Sequence, residues 1–135
     1  MSRKAIEAVI LCLALAACGG DAAERPAETS LEAMTMLPVV RARLDSLTQR
    51  PSMMRDAGSR LKAETINVVD AMRADMTRLG MHSDPAYEAL ADSVVQGSAA
   101  LSTAGGAELE RLVARHVDQM RRLTGVYETK VAAMK

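Results

Sequence analysis

A chain of 135 residues with 17 Lys plus Arg against 17 Asp plus Glu offers no basic excess for nucleic acid and has room for a single domain. Phe and Trp are absent, Tyr occurs twice and Met ten times. A core without large aromatics must be filled by Leu, Val, Ala and Met, which suits close-packed helices better than a half-buried sheet.

The chain opens with a basic start, Ser2-Arg3-Lys4, then an apolar run over residues 8–17 that closes on small residues. These are the parts of an export signal. The run is about half the roughly 20 apolar residues needed to cross a bilayer. Its end reads Leu15-Ala16-Ala17-Cys18-Gly19, which resembles the lipobox of bacterial lipoproteins. That resemblance implies that the Cys18 thiol is lipidated with palmitate-like acyl chains, that residues 1–17 are removed as a signal peptide, and that Cys18 becomes the new N-terminus. The mature chain would hold 118 residues, with 15 basic and 16 acidic side chains. Cys12 would leave with the signal, so no disulfide framework is expected. One acyl chain holds only weakly and two or more hold durably, so the protein would be anchored to a membrane without spanning it. In this class an Asp directly after the lipidated Cys retains the protein at the inner membrane. Gly19 stands there instead, which implies the periplasmic face of the outer membrane.

Residues 18–29 contain small and charged side chains with Pro26 and almost nothing to bury, and read as a tether. As a flexible coil, the stretch would have an end-to-end distance of about 20 Å. The domain is expected over residues 30–135.

Ser30 is placed to cap a first helix with apolar residues at Leu31, Met34, Leu37, Val40, Leu44 and Leu47, a helical period. Pro38 interrupts it, so the helix either kinks there or begins near Leu37. Pro51 and Ser52 separate it from a second, longer helix with the stripe Met54, Ala57, Leu61, Thr65, Val68, Met72, Met76 and Leu79, stopped by Gly80. Ser83-Asp84-Pro85 supplies a cap followed by proline at the first helical position. The third helix carries a shorter stripe, Tyr87, Leu90, Val94 and Leu101, weakened by Gly97. The fourth, from about Ala107, spaces Leu109, Val113, His116, Met120, Leu123, Tyr127, Val131 and Met134 alternately three and four apart. Four amphipathic helices joined by short turns predict an all-α, antiparallel up-down four-helix bundle. The weak third helix leaves an expected groove able to receive a protein partner or a second copy of the chain.

His116 is the one imidazole on a buried stripe. Folding the chain about its turns places it level with Val94, Met72, and Leu31 or Met34, with Met76 and Met120 about a turn away. Imidazole with thioether suits copper(I), and His with Met also ligates haem iron, as in four-helix cytochromes with Met on the first helix and His on the last. The metal candidates are therefore His116, Met72, Met76, Met120 and Met34. A core histidine also has a plain alternative, a neutral ring bonded to Thr65 or Ser98 among gap-filling methionines. His82, beside Met81 in a turn, reads as solvent-exposed.

The three residues before His82 and His116 begin with Leu79 and Val113, so the Glu-x-x-His ligands of di-iron bundles are missing. Cys-x-x-Cys-His, Gly-rich phosphate loops and Gly-x-Ser-x-Gly are also absent. Glu108 and Glu110 suit a helix N-terminus and need no catalytic role. The expectation is a non-enzymatic binding or scaffold module on a lipid anchor, with a copper or haem carrier as the alternative.

Overall fold

The computed structural model describes residues 30–50, 54–81 and 84–134, with side chains in the second stretch from Ala57 onward. The signal segment, Cys18 and the tether, the Pro51-Ser52 cap, the Met54 side chain, and His82 with Ser83 lie outside the described residues. Four α-helices form among the described residues: α1 Glu32–Gln49, α2 Met54–Arg78, α3 Pro85–Ala99 and α4 Gly106–Ala132. A 3-10 turn, Ala100–Ser102, extends α3. None of these helices is long and apolar enough to cross a membrane.

The local signals act where the sequence puts them. Asp84 accepts hydrogen bonds from the Ala86 and Tyr87 amides at 2.9 and 3.4 Å, and Pro85 occupies the first turn, where its missing N–H costs nothing. Gly80 takes φ +67°, the left-handed conformation that lets the Gly80 amide reach the Thr77 carbonyl and the Met81 amide reach that of Met76. This paired closure ends α2 and turns Met81 back onto the core.

The first helix differs from expectation in its start. It runs without interruption through Pro38 from Glu32, so the alternative beginning near Leu37 is excluded, and Leu31 rather than Ser30 is the N-cap, with no capping side chain of its own. The cap comes from another helix. Asp75 of α2 accepts from the Glu32 amide at 3.0 Å and the Ala33 amide at 2.8 Å. Held this way, the first turn persists ahead of the proline. The buried face is Ala33, Leu37, Leu44 and Leu47, with Pro38 and Met34 turned outward.

Consecutive helices pack antiparallel, and α1 closes the ring against α4. Ion pairs mark the register: Arg43 with Glu64 between α1 and α2, Arg73 with Glu88 and Asp92 between α2 and α3, Lys130 with Asp84 between α4 and α3, and Arg41 with Glu128 and Arg121 with Asp45 between α1 and α4. Exposed pairs of this kind each contribute about 1 kcal/mol at most, so they report the alignment more than they create it. The up-down bundle is flattened: α2 and α4 also meet across its centre, running parallel. Contact with three helices is why α2 buries more than one stripe, adding Val69, Ala71 and Asp75 to the expected residues. On α4 every expected stripe residue from Leu109 to Val131 is buried and Met134 is exposed.

Candidate functional site

Two buried hydrogen bonds join α2 to α4, and they define the polar chemistry of the core. At the first, His116 Nε2 lies 2.8 Å from Thr65 Oγ1, and Thr65 Oγ1 lies 2.6 Å from the Leu61 carbonyl oxygen. The carbonyl can only accept, so the single hydroxyl proton goes to it and the hydroxyl accepts from Nε2–H. This fixes the tautomer. Nδ1 is left as a bare lone pair, buried and without a protein partner.

Burial holds the His116 ring neutral, pushing its pKa from 6.5 down to about 4. The unfolded chain then binds a proton that the folded chain refuses between those two values, so His116 favours folding above about pH 6.5 and loses that contribution as pH falls toward 4. The shift corresponds to at most about 3 kcal/mol. Thermal melts of the metal-free protein from pH 7 to 4 are expected to show a steeper fall in Tm for the wild-type chain than for His116→Gln. Parallel curves would mean the ring stays solvated.

A space of about 10 Å³ adjoins His116, walled by Val40, Leu44, Val68 and Met120 and edged by Arg43 and Glu64. It is the size of one water or one ion. Above it, along α1 and α2, lies a groove of about 300 Å³ between Met36, Val39, Val40, Asn67 and Val68, sharing Val40, Glu64 and Val68 with the inner space. This groove lies on the α1 and α2 side; on α3, Gly97 faces Gln119, whose Oε1 would be 3.5 Å from an added Cβ.

The expected His and Met layer is only partly assembled. Met120 shares the walls of the small space with His116. Met72 and Met76 are fully buried but do not line it, and Met34 lies at the surface. Thr65, one of the two partners expected for a plain core histidine, takes the level on α2 where Met72 was expected, seven residues or about two turns away. The lining by Val40 and Leu44 moves the α1 level by two to three turns from Leu31 and Met34. On α3 the pair Gln119 to Ser93 sets His116 within about one turn of Val94. The deviation grows with each loop crossed, because every turn length adds its own offset. Among the described residues no three His, Cys, Asp or Glu side chains converge as a metal-binding group.

The second buried bond was not anticipated from the sequence. Asp75 is fully buried and, besides the two α1 amides, accepts from Tyr127 Oη at 2.8 Å and pairs with Arg78 at 3.2 Å. Burial and this carboxylate raise the Tyr127 pKa, so the phenol stays protonated and donates. Tyr87 is also buried, and its pKa is pushed up to about 12 by desolvation, with its hydroxyl unpartnered. The only available signal was an Asp three residues after Met72 and four before Leu79, on the apolar side of α2. This cluster joins α1, α2 and α4.

Comparisons with known protein families, curated proteins and solved structures find no match to the chain.

Proposed function

We propose that this protein is a lipid-anchored bacterial envelope protein whose helical bundle is a non-enzymatic binding or scaffold module, held at the periplasmic face of the outer membrane. The observation that carries the proposal is Leu15-Ala16-Ala17-Cys18-Gly19, separated by twelve residues from a bundle whose first helix starts at Glu32. The groove along α1 and α2 supports the binding half of the proposal, as a surface for a protein partner or a second copy. Expressed at full length in a Gram-negative host fed an alkyne-bearing palmitate analogue, the chain is expected to take up label and to pellet with outer membranes. Cys18→Ser should abolish the label and release the protein. An unlabelled wild-type chain, or a Cys18→Ser chain that keeps the label, overturns lipidation at this residue.

A second function, copper(I) carriage, is favoured by one observation: His116, whose Nδ1 is buried without a protein partner, lines an atom-sized space together with Met120. Imidazole nitrogen with thioether sulfur is a soft donor set suited to that ion. Of the two cofactors expected from sequence, copper(I) matches a space of about 10 Å³, whereas a haem would require the core to open. Titration with copper(I) against a chromogenic chelator is expected to give one equivalent per chain, weakened about tenfold or more by Met120→Leu, a substitution that conserves core volume. Retention of no copper, or equal affinity in Met120→Leu, overturns the carrier.

A further inference from the structure

The small space beside His116 has a buried inner wall and an outer rim of three half-buried side chains, Val40, Arg43 and Glu64. Two of the three are charged, and they are joined. Arg43 Nη2 lies 3.3 Å from Glu64 Oε1, linking α1 to α2 across the rim. Their side chains are 35% and 37% exposed, so the pair has water on one side and the space that His116 lines on the other.

Register between helices is served by a pair at any level, and other pairs in the bundle do only that. Arg41 with Glu128, Arg121 with Asp45 and Arg73 with Glu88 line neither the small space nor the groove. Glu64 lines both. It stands where the outer groove meets the inner space, and Arg43 holds it there.

The ring behind this pair is already oriented. Its Nε2–H is committed to Thr65 Oγ1, whose own proton goes to the Leu61 carbonyl, and its Nδ1 is buried without a protein partner. A bond of this kind to one ring nitrogen is how metal-binding histidines fix the tautomer and keep the other nitrogen for the metal.

We propose that the ion pair of Arg43 and Glu64 is the gate of the His116 site: closed, it separates His116 and Met120 from solvent, and open, it frees the Glu64 carboxylate to receive a cation from the groove and pass it inward. This deepens the copper(I) reading and rests on it for the identity of the ion. A carboxylate at the mouth concentrates cations ahead of two neutral donors, and the permanently charged guanidinium of Arg43 competes with them for its oxygens. A half-exposed pair is weak, so the gate opens and recloses without unfolding the bundle.

Two readouts test the gate, one of them metal-free. Both use the lipidated mature chain, whose acylated Cys18 offers no free thiol to copper(I). The first is exchange of the His116 ring Cε1 hydrogen for deuterium, followed by mass spectrometry of the peptide that carries it. Arg43→Gln is expected to speed this exchange about fivefold, the population shift that loss of a weak ion pair produces. Arg43→Glu combined with Glu64→Arg re-forms the pair with its charges exchanged and should restore the wild-type rate. The second readout is copper(I) transfer to and from a chromogenic chelator, in which Arg43→Gln should raise uptake and release alike. Circular dichroism confirms the helical content of each variant. Equal exchange in the wild type and Arg43→Gln overturns the gate. A charge-exchanged chain as fast as Arg43→Gln also overturns it, since lost packing and not the lost pair would then explain access. So does a change in only one of the two copper rates, because Arg43 would then act on the bound ion and not on its passage. A wild-type chain that holds no copper overturns the copper reading alone, and the exchange rates still decide the gate.

Discussion

Asp75→Ala is expected to destabilise the protein by about 3–5 kcal/mol, the range found when one partner of a buried ionic and hydrogen-bonded cluster is removed. Four groups lose their acceptor together: the Glu32 and Ala33 amides, the Tyr127 hydroxyl and the Arg78 guanidinium. The two amides belong to the first turn of α1, and loss of a helix cap alone costs about 1–2 kcal/mol. The Tyr127 hydroxyl is left in a core it cannot leave without unpacking α4. Asp75→Asn keeps one acceptor oxygen but turns an amide N–H toward a donor, and should fall between alanine and the wild type. Denaturant unfolding gives the size of the loss, and amide hydrogen exchange gives its place: the α1 amides before Pro38 should lose protection first. An Asp75→Ala protein within about 0.5 kcal/mol of the wild type would behave like an ordinary surface substitution and would mean that α1 holds its first turn without α2.

Gly58→Ala is expected to cost about 3 kcal/mol or more, although glycine to alanine inside a helix ordinarily gains about 1 kcal/mol. A Cβ at residue 58 would sit 1.9 Å from the Leu101 carbonyl oxygen and 2.9 Å from its carbon. Both atoms are backbone of the 3-10 turn, so no side-chain rotation relieves the clash, and either α2 or the turn after α3 must retreat. Gly125→Ala is the internal control. Gly125 sits within α4 with nothing within 4 Å of the added methyl, and the substitution should stabilise by about 0.5–1 kcal/mol. Opposite signs for one chemical change would locate the close approach of α2 and the 3-10 turn. Equal signs would mean that the turn yields freely.

These two positions also explain the register that the sequence did not disclose. A hydrophobic period orients each helix about its own axis but leaves its slide along a neighbour undetermined, since leucines and valines pack at many offsets. The slide is set by groups with few acceptable positions. Asp75 must meet the start of α1 and Tyr127 at once, and Gly58 must lie against the Leu101 carbonyl. Neither constraint shows as a motif, because the partners lie 42, 52 and 43 residues away. Thus His116 was correctly placed in the core with Thr65 as a possible partner, while Met72 and Met34 were set beside it by a slide that those constraints do not allow.

What the sequence by itself determined is what depends on neighbours in the chain. The Asp84-Pro85 start, the Gly80 stop and the apolar stripes each act over one or two turns, and together they specify four helices, their inward faces and the up-down order. The Leu15 to Gly19 stretch carries the expectation of a lipid anchor in the same local way. Only the tertiary structure decided that α1 begins ahead of Pro38, that α2 and α4 touch across the centre, and that Nε2 of His116 meets Thr65 and leaves Nδ1 without a protein partner. Each of those outcomes depends on where one helix stops along another, and that position is set by contacts between residues far apart in sequence.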